Sequence, residues 1–330
     1  MREINWAVLG CGVIANEMTV ALQKQGRHIY AVGNRTREKA VLFAEKYGIK
    51  KVYAQYDEMF TDPEVDAIYI TTPHNTHISF MKQAIANGKH VLVEKAVTLN
   101  SWELSEALSL AEEKGVVVAE AMTIFHMPIY RRLHEILQSG KLGAVNLMTV
   151  NFGSYKEYDM NNRFFNRNLA GGAMLDIGVY ALSLCRWFMT SKPEQVKSIV
   201  KMAPTGVDEQ EGLLLMNAEG QMAAIMLSLH SKHPKRGMIS CEKGYIEIME
   251  YPRACEARIT YTENGETELV QAGRREDALL YEITDMENAI ASHADKQEEM
   301  YLAYTKDVMD LMTACRREWN FTYPEEECNE

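Results

Sequence analysis

This 330-residue chain lacks the marks of a cross-linked protein: its six cysteines (Cys11, Cys185, Cys241, Cys255, Cys315, Cys328) are scattered, with no C-x-x-C pair. A chain this long buries a core without disulfides, so they read as free thiols of a reducing compartment, and a cytoplasmic location is expected. Paired metal ligands are lacking too. Five of the nine histidines (His74, His77, His90, His126, His134) crowd into one stretch, yet none stands at ligand spacing from a carboxylate or thiol, so no metal is expected. Basic charge is short: 35 Lys and Arg oppose 46 Asp and Glu, a net charge of -11. That balance excludes broad binding to nucleic acid or to an anionic membrane surface, leaving room only for a local basic site. No uninterrupted apolar run nears the roughly 20 residues of a membrane span. The apolar stretch 6–15 follows Glu3 and is broken by glycines, so it reads as a strand and turn, not as a signal peptide. With no repeat, low-complexity tract or Pro/Gly/Ser-rich linker, the parts of the chain are expected to pack closely and share a cleft.

What is present first is βαβ grammar. Short apolar runs at 4–9, 28–33, 65–71, 90–93 and 116–119 alternate with amphipathic segments at 13–25, 37–47, 77–87 and 101–114. Asn100 followed by Glu103 is a capping-box signature for the last of these helices. Near-continuous apolar strands imply a parallel sheet covered on both faces, a doubly wound domain over residues 1–122. After Met122 the pattern changes. Pro128 opens a helix to 138, and alternating runs follow at 146–152, 211–230, 245–250 and 257–262, with turn signals at 217–220 and 264–265. Helices are expected at 174–189, 278–291 and 297–317. Residues 123–330 thus read as an α+β domain with an open, mostly antiparallel sheet, carrying substrate binding and oligomerisation.

The sequence Gly10-Cys11-Gly12-Val13-Ile14-Ala15 joins the first strand to its helix, where G-x-G-x-x-G/A binds a pyrophosphate. Gly10 permits the tight turn, Gly12 the approach of backbone to phosphate, and Ala15 close packing of helix on strand, while the helix N-terminus offers unpaired N–H groups. Dinucleotide enzymes that take NAD usually carry a carboxylate about 20 residues on, for the adenosine ribose. Here the second strand ends in Gly33-Asn34-Arg35-Thr36-Arg37. No carboxylate opposes a 2′-phosphate, and Arg35, Arg37 and Thr36 are donors suited to one, so NADP is preferred over NAD.

Glu94-Lys95-Ala96 closes the strand 90–93, at the end of the sheet where ligands of open α/β folds bind. Lys95 there suits a reacting oxygen, although a lysine after a strand is more often merely solvated. Further on, Asp176 and Tyr180 stand four apart in a helix, which places a carboxylate and a phenol on one face as a candidate acid–base pair.

These motifs, GCGVIA at the start, TPHNTH at 72–77, GKHVLVEKA at 88–96, EAMTIFHMP at 120–128 and AGGAMLDIGVY at 170–180, stand in the order and spacing of the Gfo/Idh/MocA oxidoreductases, which the chain resembles from end to end. With Tyr at 180, where many relatives have His, it is similar to the dimeric dihydrodiol dehydrogenase and xylose dehydrogenase branch. By that resemblance Lys95 matches the lysine of the E-K-P motif, and Asp176 with Tyr180 the D-x-G-x-(H/Y) motif, as catalytic residues. Thr72, Pro73, His77 and Glu94 join Gly10, Gly12, Val13, Ile14, Asn34, Arg35, Thr36, Arg37 and Lys95 at the cofactor, with His77 reading equally as a helix-start histidine that makes structural hydrogen bonds, and relatives pair through the sheet as dimers or dimers of dimers. Ala96 departs from the family proline. Arg163 and Asn166, in the polar loop before the double glycine, are candidate contacts for substrate hydroxyls.

The expected function is hydride transfer between nicotinamide and a secondary alcohol or carbonyl of a sugar, polyol or cyclic diol. Two rivals stand beside it: a non-catalytic nicotinamide- or ligand-sensing regulator on the same fold, and a biliverdin reductase-like NADP reductase, with which Tyr155, Tyr158, Phe164 and Phe165 are compatible.

Overall fold

A computed structural model describes residues 3–292 and 300–327. The chain divides into two compact units, Met1–Ala121 with Leu279–Leu302, and Met122–Ala278 with Ala303–Glu330.

The first unit is built on six parallel strands, β1 (Trp6–Leu9), β2 (Ala31–Gly33), β3 (Lys51–Val52), β4 (Ala67–Ile70), β5 (His90–Glu94) and β6 (Val118–Ala121), in the order β3-β2-β1-β4-β5-β6. This is the doubly wound order, with the switch point between β1 and β4. β1 and β4 are buried at every residue, which is why their sequences run apolar without alternation. Helices α1 (Val13–Gln23), α2 (Arg37–Tyr47), α3 (Tyr56–Thr61), α4 (His77–Ala86) and α5 (Ser101–Lys114) connect them. The cap of α5 is as its sequence announced: Asn100 accepts the Glu103 amide at 2.9 Å, while Glu103 reaches back to the Leu99 amide, also at 2.9 Å. β3 and α3 carry no strong periodicity and went unread in the sequence.

One segment from far along the chain joins this unit. The helix Ala278–Ser292 sends Leu279, Ile283, Met286 and Ala289 into a core with Trp6, Val8 and Leu22. The Trp6 indole donates to Glu287 at 2.7 Å. Read from sequence, that helix was assigned to the second domain; its apolar stripe instead completes the core beside β1.

The second unit carries eight strands: β7 (Val145–Gly153), β8 (Pro193–Met202), β9 (Asp208–Asn217), β10 (Met222–Ser228), β11 (His233–Cys241), β12 (Gly244–Met249), β13 (Glu256–Tyr261) and β14 (Thr267–Gln271), in the order β14-β13-β12-β11-β7-β10-β9-β8. All neighbours are antiparallel except β7 and β10. Burial alternates along the strands. On β9, Leu213 and Leu215 are buried and Leu214 is 53% exposed, so one face is core and the other open. The open face is apolar in places, with Ile199, Leu214, Met222, Met226 and Leu269 all exposed.

The helix expected at 174–189 is present in two forms. Met174–Gly178 is a π-helical turn, in which the Val179 amide reaches back five residues to the Met174 carbonyl, and Val179–Phe188 continues as an α-helix. The wider run Arg167–Phe188 has the length and apolarity of a membrane span, but 83% of its most apolar window is buried in the protein.

Candidate active site

The cofactor half begins at Gly10. Its φ of +107° is closed to ordinary side chains, and a Cβ there would lie 2.6 Å from the Thr71 hydroxyl. Gly12 differs: a Cβ on it would meet nothing within 4 Å and would fill the open space a pyrophosphate needs. Gly12 also starts α1 without any side-chain cap, and Val13 is 79% exposed, so the first amides of the helix face outward. Residues and chemistry fit a bound dinucleotide.

At the end of β2, the Asn34 side chain donates to the Thr36 carbonyl at 3.0 Å, which bends the chain into α2. Arg35, Thr36 and Arg37 are exposed. A further cation belongs here that the sequence reading missed: the Lys39 charge reaches the Cys11 thiol in the phosphate turn, although burial dominates and pushes that thiol up to about 11. The alternation Arg35, Arg37, Lys39 was the available signal.

The segment carrying Lys95 is held from three directions. His74 Nε2 lies 3.0 Å from the Lys95 carbonyl, and His77 Nδ1 lies 3.0 Å from the Ala96 carbonyl. The peptide bond between Lys95 and Ala96 is cis. On the other side the Val97 amide donates to the buried Glu120 carboxylate at 3.1 Å. Lys95 itself is half-buried. His77 is wholly buried, with Nε2 2.9 Å from the Thr72 carbonyl, and burial lowers its pKa. Its ring nitrogens therefore face the backbone of the β4–α4 and β5–α5 connections. Thr72 accepts the Thr76 hydroxyl at 2.7 Å, the Pro73 carbonyl accepts the same hydroxyl, and Glu94 accepts the Tyr69 hydroxyl. Glu120 was not singled out from sequence, since a glutamate in an apolar strand has no local partner.

The other set of residues lies in the second unit. Asp176 sits in the π turn, 9% exposed, with the Arg163 guanidinium 3.4 Å from its Oδ1. Arg163 also covers the Phe164 ring at 4.3 Å. Tyr180 lies in the first turn of the α-helix, half-buried, its ring centroid 6.1 Å from that of Phe152. π turns insert an extra residue into the ladder and recur at functional sites. Asn166 uses its side-chain oxygen to accept the Asn168 amide at 2.9 Å and its carbonyl to accept the Gly171 amide at 3.0 Å, so it shapes the loop leading to the double glycine. Beside this loop the Tyr155 and Tyr158 rings flank His230, with centroids 5.2 and 3.9 Å away.

A doubly wound sheet with an open glycine turn at its switch strand is the frame of a dinucleotide-binding domain. Comparison with known proteins gives the family. Residues 4–122 match the model described as "Oxidoreductase family, NAD-binding Rossmann fold", and residues 130–247 match the GFO/IDH/MocA C-terminal domain. Among curated proteins, the chain is 31% identical over 250 residues to the trans-1,2-dihydrobenzene-1,2-diol dehydrogenase of Xenopus laevis, covering 74% of this chain and 75% of that protein. It is 27% identical to the Mus musculus enzyme of the same name over 98% of this chain and 99% of that protein. The chain belongs to the Gfo/Idh/MocA oxidoreductase family. Its fold is shared with a 3-ketoreductase from Actinomadura kijaniata solved with NADP and TDP-benzene, at a TM-score of 0.84, 20% identity and coverage of 95% of this chain and 97% of that one. A levoglucosan dehydrogenase solved with NADH and levoglucosan also shares it, at a TM-score of 0.83 and 16% identity, covering 96% and 98%.

Proposed function

We propose that this protein is an NADP-preferring dehydrogenase or reductase that acts on a secondary alcohol or carbonyl of a sugar, polyol or cyclic diol. The observation that carries the cofactor choice is the end of β2. Arg35 and Arg37 stand exposed beyond an Asn34 that is turned onto the backbone, with no carboxylate to repel a 2′-phosphate. The substrate class is supported by the relatives named as diol dehydrogenases.

The bound nicotinamide accepts or delivers hydride; the residues of this chain handle the oxygen and its proton. Lys95 donates to the reacting oxygen. Tyr180 exchanges the hydroxyl proton, which must leave the alcohol at about the time hydride does. An unperturbed phenol, with a pKa of about 10, is a poor base at neutral pH, and nearby positive charge lowers that value. Asp176 orients a substrate hydroxyl or the lysine, with the Arg163 guanidinium 3.4 Å from its Oδ1. The exposed apolar face of the eight-stranded sheet supports a homodimer or dimer of dimers, since a monomer seldom leaves such a face in water.

The deciding experiment follows absorbance of the reduced nicotinamide with purified protein, NADP then NAD, against aldoses, polyols and cyclic diols. Turnover with NADP on at least one class is expected. Binding of NADP without turnover of any of them would favour a sensor.

A further inference from the structure

Below the double glycine lies a buried polar node that the proposed chemistry does not use. Asp208 and Glu211 of β9 are 0% and 2% exposed. The bulge where β9 leaves its register with β8 lies between them, and both carboxyls reach inward. Asp208 Oδ2 accepts the Met174 amide at 2.6 Å, across 34 positions of sequence. Met174 is the first residue of the π turn, so this amide belongs to the helix start and has no acceptor within the helix. The Glu211 carboxyl lies against the Asp208 carboxyl and the same Met174 amide. Burial, with the Asp208 carboxyl beside it, pushes the Glu211 carboxyl far above the usual carboxylate range.

Three other contacts converge on the same turn. Gly172 has a φ of +128°, and a Cβ on it would collide with the Asp208 carboxyl. The Tyr323 hydroxyl donates to the Gly171 carbonyl at 2.8 Å. Arg316, paired with Glu326 at 2.7 and 3.0 Å, supplies positive charge that Asp208 feels. A charge-assisted bond at a dry helix N-terminus is the strong kind, and the helix dipole adds to it.

We propose that Asp208, backed by Glu211, is the positioning residue of the Asp176–Tyr180 helix: from a neighbouring strand it caps the Met174 amide and sets the start of the π turn. The inference rests on Asp176 and Tyr180 acting on the substrate. Moving the start of the turn would rotate both side chains, and displacements of about 1 Å at reacting groups cost up to roughly 100-fold in rate.

The test uses the full-length protein with its cofactor. Asp208→Ala should speed hydrogen exchange of the amides of residues 172–180. It should lower kcat by about 10- to 100-fold on the fastest substrate of the panel, with KM and NADPH affinity, read by fluorescence titration, unchanged. Glu211→Gln mimics a protonated glutamate and should stay close to the wild type, while Asp208→Asn, which keeps an acceptor oxygen but loses the charge, should fall between the wild type and Asp208→Ala. Should Asp208→Ala fail to fold, Asp208→Leu, which fills the same volume without an acceptor oxygen, carries the same two readouts. Unchanged exchange overturns the clamp, and so does faster exchange with unchanged kcat when Tyr180→Phe is inactive. If Tyr180→Phe keeps its kcat, the site reading has failed instead, and exchange alone then decides the clamp.

Discussion

His77 Nδ1 stands 3.0 Å from the carbonyl of Ala96, and the opposite nitrogen of the same buried ring stands 2.9 Å from the carbonyl of Thr72. One imidazole thus buckles the turn after β4 to the segment that presents Lys95. The neutral ring donates to one of the two carbonyls, so His77→Ala would strand that carbonyl in a dry site, a loss of about 1–3 kcal/mol of stability. Urea unfolding of the variant against the wild type measures it, and an unchanged midpoint and slope would remove the buckle.

The same residue sets a pH dependence. Burial lowers the His77 pKa below its ordinary 6.5, so below that value the unfolded chain binds the proton and the folded one resists it. Its contribution is therefore complete above about pH 6.5 and is lost as pH falls toward the folded value. The stability gap between wild type and His77→Gln should narrow from pH 7.5 to pH 5. A gap constant over that range would mean that folding leaves the His77 pKa unshifted, and a gap that widens would mean that His77 is charged in the folded protein.

Arg35→Ala should weaken NADP far more than NAD, by about 1.5–3 kcal/mol if one charge-assisted contact to the 2′-phosphate is lost. Isothermal titration of both cofactors decides it. Equal weakening of the two would place Arg35 outside the phosphate site.

Tyr180→Phe keeps the ring against Phe152 and removes only the hydroxyl. It should lower kcat by roughly two to four orders of magnitude while NADP binding is nearly intact. Lys95→Ala should do at least as much damage, and the double variant little more than either, because residues acting as a unit are not additive. Strong activity in Tyr180→Phe would send the proton elsewhere.

Ile199, 81% exposed, and Leu214, 53% exposed, stand on the open face of the second sheet. Light scattering at micromolar concentration should find a dimer or tetramer. Replacing both residues with lysine should shift it to monomer, as like charges would face each other across the pairing surface. A monomeric wild type would leave this face unpaired.

Much of this was written in local sequence. Strands buried on both faces read as unbroken apolar runs, α2, α5 and the helix Pro128–Gln138 were legible to the residue from period and caps, and Gly10 and Gly12 announced the turn by position. Those signals are short-range, because an amphipathic period or a forbidden φ constrains residues a few positions apart.

Other features existed only once the chain had folded. Nothing local in the sequence DEQE at 208–211 names a partner, yet Asp208 caps a helix start 34 residues away. Glu120 looks like a lone charge in a strand until the Val97 amide meets it. The helix Ala278–Ser292 chose the first unit because its apolar stripe fits beside Trp6, and the turn at Asp176 became π-helical in a helix whose first amide is capped by Asp208. In each case the deciding partner is far off in sequence. A buried polar group must find a partner wherever the fold provides one, and no period or motif records where that is.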